Sequence, residues 1–496
     1  MNDCIAVFDV GKTNKKLLIF DENLEILETT AEHFPADESG PVHFERIEEM
    51  SEWFLDRLGD FASRYPIRAV SVATQGATWL CVGADGGLTV PPVAYTTEPG
   101  DEFHAEFYDR FGGVEKIQRT TGTAPMSNLL NGGQLMMFLN REYPKEFAAA
   151  SAILGMPQYF GFLLTGKTGA EPTYTGSHSN LLDYETGAWS FIAEDLGLTD
   201  KLPQGLDRTW DILGTVSPEI ARRTGLAEDT VVTMGMHDSN ASLLPYLLKE
   251  EGDFILDSTG TWCACMRPSP AVSFTRDEIG KLVYFNLDVR SRPVKTTILL
   301  GGLEFETWSK IIKEINGEKD FPPFVPESYE RAVEEGKRFI FPGVVRGTGQ
   351  FPDSMPRVYD EGKWYSLEDV RGGKIPDFFR DYTVAFAVLN LSLAIQTKVA
   401  LERVGIEGGT PVYIEGGFQN NPDYGTLLTA LYPESKVYHS SLKEATAFGA
   451  ALLGKAALDG VEPEDLSGLY EIEKIPVIAL RLERLDAYIG EFLRLL

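Results

Sequence analysis

Short apolar runs that end in polar turns alternate with amphipathic stretches along most of the chain. Residues 5–8, 16–20 and 24–27 are apolar runs separated only by turns, which predicts a meander of three strands. Residues 45–61 then carry apolar side chains at helical spacing, and residues 67–73 have the pattern of a buried strand. This alternation of strands and helices predicts an α/β fold.

Two predicted strands in the middle of the chain, 231–234 and 254–256, end in polar residues. The first runs into GMHD at 235–238, and the second runs into DSTGT at 257–261. Open α/β sheets bind their ligands at strand ends. A Ser/Thr/Gly turn offers backbone N–H and hydroxyl donors to phosphate, and the lone carboxylate of Asp238 offers a base. Together they are the minimum set for phosphoryl transfer to a hydroxyl.

The turn at 257–261 shares a pattern with residues 9–13. In each, an Asp follows an apolar residue, a glycine comes within three residues, and a Thr lies four after the Asp. Coincidence is one explanation, because Asp-Gly turns are common. The second occurrence begins the second half of the chain, which favours a duplicated domain with two turns facing one polyphosphate. The first turn is not a P-loop, because Ala6 replaces the first glycine and a strand follows.

The length of 496 residues exceeds what one hydrophobic core supports, so we predict two large domains. The polar residues 249–253 separate the helix after Asp238 from the next strand. We therefore predict domains at 1–249 and 250–496.

Charge and composition exclude several classes of partner. The net charge is −29, from 45 Lys and Arg against 74 Asp and Glu, which argues against nucleic acid and predicts an acidic solvated surface. The N-terminus lacks the basic region of a signal peptide, and no uncharged apolar run is long enough to span a membrane. The four cysteines suit neither a zinc site nor a disulfide framework, so we expect buried thiols in a cytoplasmic protein.

Further candidate ligand contacts follow other predicted strands. The strand at 67–73 ends in TQGAT at 74–78, and the loop at 91–98 interleaves an aromatic ring with hydroxyls, as sugar sites do. The strand at 411–414 meets Glu415-Gly416-Gly417, where bare backbone lets a flat ligand approach. Each pattern is also found in ordinary loops and tight turns.

Taken in order, these motifs resemble the FGGY carbohydrate kinases, which share the actin and heat-shock ATPase fold. The matching segments are residues 9–16, 237–242, 258–262, 415–417 with Asn420, and 445–451. The resemblance implies a two-domain actin-like ATPase (ribonuclease H-like) fold with a nucleotide cleft between duplicated domains. Within the family the chain is most similar to the L-rhamnulose and L-fuculose kinases, on His237-Asp238, residues 260–262, and residues 156–159 with 164–167.

The resemblance implies the site residues and cofactors. It makes Asp238 the catalytic base and places Mg²⁺ near Asp9, through a water. It implies ATP as phosphoryl donor, bound by Gly11, Lys12, Thr13, Asn14, Lys16, Ser258, Thr259, Gly260, Thr261, Gly416, Gly417 and Asn420. It implies a sugar bound by Gln75, Gly76, Thr78 and His237. His237 either contacts the sugar or only orients Asp238 or caps the helix that follows, and Lys15 is expected to point to solvent.

The chain departs from that branch of the family at the sugar contacts. Thr78 stands where relatives carry a carboxylate, and residues 95–98 lack the usual Arg-Asp pair. The predicted activity is ATP-dependent phosphorylation of a ketose. The first candidate is a 6-deoxy-ketohexose such as L-rhamnulose or L-fuculose. The alternatives are a xylulose, ribulose or polyol kinase, and a non-catalytic sugar- or nucleotide-binding protein. A homodimer remains open, and the lack of G-x-G-x-x-G after the first strand excludes a dehydrogenase.

Overall fold

The computed structural model describes residues 3–250 and 252–496, which fold into two compact units. The first unit comprises Met1–Glu251, Pro268–Lys295 and Lys443–Ile472, and the second comprises Gly252–Arg267, Thr296–Leu442 and Glu473–Leu496. The chain therefore enters each unit more than once, which differs from a single boundary at residue 249. Residues 268–295 and 443–472 belong to the first unit because they pack on it, a long-range contact that no local pattern encodes.

The secondary-structure elements keep the alternation seen in the sequence. The strands are β1 (Cys4–Val10), β2 (Lys15–Phe20), β3 (Ile26–Glu32), β4 (Ile67–Thr74), β5 (Trp79–Val82), β6 (Ala152–Gly155), β7 (Ile212–Thr215), β8 (Val231–Thr233), β9 (Met236–His237), β10 (Ile255–Thr259), β11 (Cys263–Pro268), β12 (Tyr284–Leu287), β13 (Pro293–Leu299), β14 (Arg338–Phe341), β15 (Arg357–Asp360), β16 (Lys363–Ser366), β17 (Val412–Gly416), β18 (Val437–Ser440) and β19 (Lys474–Pro476). The α-helices are α1 (Ile47–Ala62), α2 (Asp101–Arg110), α3 (Val114–Thr121), α4 (Gly132–Glu142), α5 (Pro144–Ala149), α6 (Met156–Thr165), α7 (Pro172–Thr175), α8 (Phe191–Asp195), α9 (Pro218–Thr224), α10 (Asp238–Lys249), α11 (Gly301–Asn316), α12 (Pro326–Glu335), α13 (Leu367–Arg371), α14 (Tyr382–Arg403), α15 (Pro422–Leu431), α16 (Ala445–Asp459) and α17 (Leu485–Leu495). Short 3₁₀ turns cover Arg276–Glu278, Asp377–Arg380, Gly417–Asn420 and Pro463–Leu469.

The first unit is built on a mixed sheet in the order β3-β2-β1-β4-β8-β7, with β9 also paired to β4. The strands β1, β2 and β3 pair antiparallel, which confirms the predicted meander. The strands β4, β8 and β9 run parallel to β1 or to one another. The carboxyl ends of β1, β4 and β9 therefore lie at one edge of the sheet, where α/β proteins bind ligands.

The second unit repeats this arrangement in the strand order β13-β11-β10-β17-β18-β19. The strands β10 and β11 form an antiparallel hairpin, and β17 lies parallel to β10 on its other side. In the first unit β1 and β2 form the corresponding hairpin, with β4 parallel to β1. The shared arrangement supports the predicted duplication.

The core of the first unit lies between its sheet and α1. The apolar face predicted for residues 45–61 is buried in the structure, and Phe54 of α1 stacks on Phe8 of β1 with ring centroids 4.1 Å apart. Phe160 of α6 meets Phe8 edge-on at 4.9 Å. Each such buried side chain contributes about 1.5–3 kcal/mol, which fixes β1 and the turn at its end.

Two helices of the first unit, α10 and α16, pack closely where glycine removes side-chain bulk. A Cβ on Gly449 would lie 1.9 Å from the carbonyl oxygen of Ala241, and one on Gly454 would lie 2.7 Å from Ile5 Cγ2. The small residues of α16 therefore allow it to pack closely on α10 and on β1. This contact positions α10, whose first residue is Asp238.

The longest described helix, α14, is apolar on all sides and mostly buried in the second unit. It alone among the described helices has the length and composition to cross a membrane, and its burial identifies it as a core helix. The four cysteines are buried free thiols, as predicted.

Candidate active site

The first predicted phosphate turn is the tight connection between β1 and β2. The Gly11 N–H donates to Asn14 O at 3.0 Å, and the strands on either side pair Asp9 with Lys16. The turn is a β-hairpin, as the sequence predicts, and no helix follows it. Asp9 and Lys16 thus lie side by side, next to the turn of the hairpin.

The side chain of Lys12 turns toward residues predicted to contact sugar. Its Nζ lies 3.1 Å from Oε1 of the buried Glu45 and 4.6 Å from the ring centroid of Tyr95. The same Glu45 oxygen accepts a hydrogen bond from Gln75 Nε2 at 3.4 Å. A role for Lys12 in ATP binding remains a prediction. In the structure the Lys12 side chain contacts Glu45 and Tyr95, and Glu45 also contacts the predicted sugar ligand Gln75.

The expectation that Lys15 points to solvent is wrong. Its side chain is fully buried, and its Nζ donates to Lys12 O at 3.0 Å and to Phe34 O at 3.5 Å. Desolvation lowers the pKa of Lys15 to about 8, while the nearby Glu45 opposes that shift. Lys15 sits on the inward face of β2, and strand alternation sends Lys16 outward, where it pairs with Glu444 at 2.6 Å.

Asp9 and Asp238 are two acidic groups whose pKa values are both raised. Desolvation raises the pKa of Asp9 to about 7, against the lowering effect of Lys16, and the charges of Asp238 and Glu444 add to the rise. Desolvation also raises the pKa of Asp238 to about 6, although the Ser239 N–H and hydroxyl lower it. The side chain of Asp238 keeps 29% of its surface exposed, so a substrate hydroxyl can reach it.

The ring of His237 is held beside Asp238 by Asn240. The Asn240 amide donates from Nδ2 to Thr173 O (3.4 Å) and to His237 Nδ1 (3.3 Å), so the proton of the neutral ring lies on Nε2. His237 Nε2 lies 3.4 Å from Asp238 Oδ1. His237 occupies the N-cap position of α10, but its side chain makes no capping hydrogen bond to the helix.

A buried carboxylate supports this arrangement from below. The backbone N–H of His237 donates to Thr173 Oγ1 at 3.0 Å. The hydroxyl of Thr173 in turn donates to Glu171 Oε1 at 2.9 Å. Glu171 also accepts the backbone N–H groups of Thr173 and Tyr174 and the hydroxyl of Thr209. Desolvation raises the pKa of Glu171 to about 7 despite these donors. The sequence did not reveal Glu171, because its hydrogen-bond donors, which include the distant Thr209, come together only in the fold.

Residues 75–78 run past His237 because β4 and β9 are parallel neighbours, with Thr74 opposite His237. Tyr174 fixes this segment by accepting the Thr78 N–H at 3.0 Å. Gln75 Oε1 and Thr78 Oγ1 are buried and have no hydrogen-bond partner within residues 3–250 and 252–496. Unpaired buried polar atoms are costly, and a polyhydroxylated ligand would satisfy them. The first unit therefore brings together the predicted base, first turn and sugar contacts.

The second predicted phosphate turn comprises the end of β10 and the residues after it, and it is tied to β17. Ser258 Oγ donates to Glu415 Oε1 at 2.7 Å, and Thr259 Oγ1 accepts the Phe418 N–H at 2.9 Å. A Cβ on Gly416, whose φ is +80°, would lie 2.0 Å from Thr259 O, so this position requires glycine. The turn at 258–261 and the glycine pair at 416–417 are therefore adjacent in the second unit.

The two Asp residues that begin the shared turn pattern differ in their surroundings. Asp257 is fully buried and has protein partners for both carboxylate oxygens. Tyr424 OH donates to its Oδ2 at 2.6 Å, and Cys265 Sγ lies 3.6 Å from its Oδ1. Desolvation raises the pKa of Asp257 to about 6. Asp257 holds β10 in place, whereas Asp9 stays partly exposed.

Gly302, in the first turn of α11, is a neighbour of the second turn that the sequence analysis missed. A Cβ on Gly302 would lie 2.1 Å from Gly260 O, so the N-terminus of this 16-residue helix abuts the turn. The signal was present as a Gly-Gly pair between an apolar strand and a helix. The side chain of Asn420 lies outside the described part of the structure.

The acidic residues of the first unit fit a magnesium ion that is bound chiefly by water and phosphate. No group of three His, Cys, Asp or Glu side chains able to hold a metal occurs in the described ranges 3–250 and 252–496. Mg²⁺ needs only one or two carboxylates when phosphate oxygens and waters complete its shell. Desolvation raises the pKa of Asp9 most, the charges of Asp238 and Glu444 raise it further, and a cation would relieve that repulsion.

The two halves of the chain match two models of one family. Residues 4–245 match the N-terminal domain of the FGGY family of carbohydrate kinases, and residues 251–463 match the carbohydrate kinase FGGY C-terminal domain. The fold defines a two-domain α/β protein of the actin-like ATPase type. The chain belongs to the FGGY family of carbohydrate kinases.

Curated relatives are similar at low identity. The rhamnulokinase of Oceanobacillus iheyensis is 24% identical over 343 residues, 65% of this chain and 65% of that protein. The rhamnulokinase of Enterococcus faecalis is 27% identical over 198 residues, 39% of this chain and 38% of that protein. The probable L-xylulose kinase of Pasteurella multocida is 33% identical over 132 residues, 26% of this chain and 27% of that protein. The chain thus aligns with 38% and 65% of the lengths of the two rhamnulokinases.

Solved structures match over nearly the whole chain. A carbohydrate kinase from Novosphingobium aromaticivorans has a TM-score of 0.75 at 26% identity, covering 99% of this chain and 97% of that one. The xylulose kinase of Lactobacillus acidophilus has a TM-score of 0.81 at 15% identity, covering 99% and 96%. These similarities show the fold of the chain.

Proposed function

We propose that the protein transfers the γ-phosphate of ATP to a hydroxyl of a ketose. The first candidate substrate is a 6-deoxy-ketohexose such as L-rhamnulose or L-fuculose. The observation that carries this proposal is the setting of Asp238. Its partly exposed carboxylate lies beside the neutral ring of His237, at the sheet edge that also holds the first turn. A base with a raised pKa next to a phosphate-binding turn suits proton removal from an alcohol.

In the proposed reaction Asp238 accepts the proton of the sugar hydroxyl. The hydroxyl oxygen forms a bond to the γ-phosphorus as the bond from that phosphorus to the β–γ bridging oxygen breaks, and ADP leaves. His237, whose Nε2 lies 3.4 Å from Asp238 Oδ1, would keep the carboxylate in place. Lys16 would neutralise phosphate charge from the end of the first hairpin.

The second unit would contribute nucleotide contacts. The turn at 258–261 offers backbone and hydroxyl donors, and the N-terminus of α11 adds a favourable dipole for anions beside that turn. The exposed backbone of Gly416 and Gly417 would carry the adenosine. Bound Mg²⁺ would supply charge neutralisation at the phosphates, with Asp9 holding it through a water.

The similarity to rhamnulokinases favours a 6-deoxy-ketohexose as substrate, and a second candidate is a xylulose-type ketopentose. The probable L-xylulose kinase of Pasteurella multocida is 33% identical over the part that aligns, which supports this alternative. In this chain Gln75, Gly76, Thr78 and His237 would read the hydroxyls. Thr78 offers a neutral hydroxyl where relatives carry a carboxylate. Discrimination among sugars that depends on a carboxylate at this position would therefore be absent in this protein.

A coupled assay of ADP release with a panel of ketoses, polyols and aldoses tests the proposal. We expect ATP consumption only when a ketose is added, with L-rhamnulose or L-fuculose giving the highest kcat/KM. ATP consumption without sugar, or none with any sugar, would contradict a kinase and favour a binding protein. A tenfold preference for glycerol, gluconate or an aldose, about 1.4 kcal/mol in transition-state binding, would overturn the ketose assignment alone.

A further inference from the structure

The loop between α7 and α8 carries a histidine in an unfavourable backbone conformation. His178 has φ of +39°, in the left-handed region that residues with a Cβ rarely adopt, and only 7% of the residue is exposed. Such strain is found where the fold positions a functional group. Asn180, two residues further on, has φ of +61°, so the strain extends over this loop.

The hydrogen bonding of His178 fixes which ring nitrogen carries the proton. Its Nδ1 lies 3.0 Å from Leu130 O, and because a carbonyl can only accept, Nδ1 is the protonated nitrogen. Desolvation lowers the pKa of His178 to about 4, with a further lowering from His237, so the ring is neutral near pH 7. His178 Nε2 is therefore an acceptor, and it has no hydrogen-bond partner within residues 3–250 and 252–496.

This free acceptor faces the same small space as His237. A Cβ placed on Gly76 would lie 2.7 Å from His178 Nε2 and 2.9 Å from His237 Nε2. The His178 ring centroid lies 5.8 Å from that of His237 and 5.9 Å from that of Tyr284. Glycine at position 76 thus leaves room in which two imidazoles converge, one of them adjacent to Asp238.

We propose that His178 is a specificity-determining residue of the sugar site, whose Nε2 accepts a hydrogen bond from one particular hydroxyl of the substrate. This inference rests on the proposed function and deepens it. An acceptor held by a buried, strained ring cannot turn away or gain a proton, so it demands a donor at one fixed place. A sugar that lacks that hydroxyl leaves the nitrogen buried and unpaired, which a site built to bind a hydroxyl penalises strongly.

The pairing can be measured by crossing a His178→Asn variant with single deoxy analogues of the best ketose substrate. Asn tolerates a positive φ, so the variant removes the imidazole and keeps the backbone conformation. For the wild-type protein we expect one deoxy analogue to lose about 10- to 100-fold in kcat/KM relative to the parent sugar. In the variant that loss should shrink to within about threefold, while the losses for the other analogues stay unchanged.

The matched control is His439→Asn, a half-buried histidine in the second unit whose replacement should leave every ratio as in the wild type. His178 has only a packing role if the variant lowers kcat/KM by the same factor for the parent sugar and all analogues. If the wild type phosphorylates no sugar at all, the proposed function fails instead, and the two failures are thereby distinguished.

A measurement on the wild-type protein covers the case in which His178→Asn does not fold. His178 and His237 have pKa values of about 4 and about 3, so at pH 5 both rings remain neutral. With ¹⁵N-labelled histidine, the unprotonated nitrogen of His178 should shift upfield when the ketose binds, and should not shift with the one discriminated analogue. No upfield shift on ketose binding would overturn the proposal.

Discussion

Lys16 and Glu444 form an ion pair, with Nζ of Lys16 2.6 Å from Oε2 of Glu444. Glu444 precedes α16 and has φ of +51°, so the chain holds this carboxylate in a strained conformation. Lys16 lies next to the hairpin turn that the sequence predicts to bind phosphate. If Lys16 binds a nucleotide phosphate as proposed, Glu444 would compete with that phosphate for the Lys16 ammonium group.

Replacing Glu444 with Gln should strengthen nucleotide binding. Removing the carboxylate frees Lys16 and takes away a negative charge near Asp9, so the KM for ATP should fall about two- to fivefold, the range expected for a partly exposed ion pair. Steady-state kinetics at fixed sugar measure this. Glu471→Gln, which breaks the exposed pair with Lys249 in the same unit, serves as control. A higher KM would mean that Glu444 positions Lys16 for phosphate.

Asp238→Asn should abolish phosphorylation and leave the fold and ATP binding intact. Loss of a general base lowers the rate by about two to four decades. Coupled ADP release and nucleotide titration measure the two properties separately. Asp229→Asn removes an exposed carboxylate paired with Arg68 and should keep full activity. Turnover of Asp238→Asn close to that of the wild type would exclude Asp238 as the base.

The pH dependence of kcat/KM should show an acid limb near pH 6. Asp238 must be ionised to accept a proton, and its pKa is raised to about 6, so the rate should fall roughly tenfold per unit below that pH and level off above it. Asp9, with a pKa of about 7, should titrate lower as Mg²⁺ is added. A limb that moves with Mg²⁺ concentration would therefore belong to Asp9, and one that does not move belongs to Asp238.

Gly417→Val should weaken ATP binding with little effect on sugar affinity. A Cβ at Gly417 would lie 3.7 Å from Thr259 O, which is an ordinary contact, so the added bulk would meet the ligand and not the protein. Isothermal titration with ATP and with sugar measures both affinities. Gly416→Ala is the contrast, because its Cβ would lie 2.0 Å from Thr259 O and should lower stability. Weaker sugar binding with unchanged ATP binding would reverse the roles given to the two units.

Gly449→Ala should destabilise the first unit. The new Cβ would lie 1.9 Å from Ala241 O, so α16 must move away from α10, at a cost of about 1–3 kcal/mol. Urea denaturation measures the free energy of unfolding. Gly490→Ala, on α17 with nothing within 4 Å of its Cβ, should be neutral or should stabilise by up to about 1 kcal/mol. Equal stability of both variants would show that α10 and α16 are less tightly packed than the structure indicates.

Local pattern predicted the elements that carry the site. The meander at the N-terminus, the apolar face of α1 and the end of β4 near Thr74 lie where the periodicity placed them, whereas β10 continues three residues past the predicted strand, to Thr259. Turn residues and strand periodicity depend on neighbours within a few positions, so a single sequence contains them. The relation between the two turns also came from sequence, because both begin with an Asp at the end of a buried strand.

The partners of the site residues were decided only by tertiary structure. Glu45 reaches Lys12, Glu444 reaches Lys16, and His178 reaches the space beside Gly76, across separations of 33 to 428 residues for the two ion pairs. Lys15 appeared solvent-facing in a run of lysines, yet strand alternation turned it inward. The burial, the tautomer and the pKa of a side chain depend on which other side chains pack around it. That packing comes from contacts between residues distant in sequence, which no local pattern specifies.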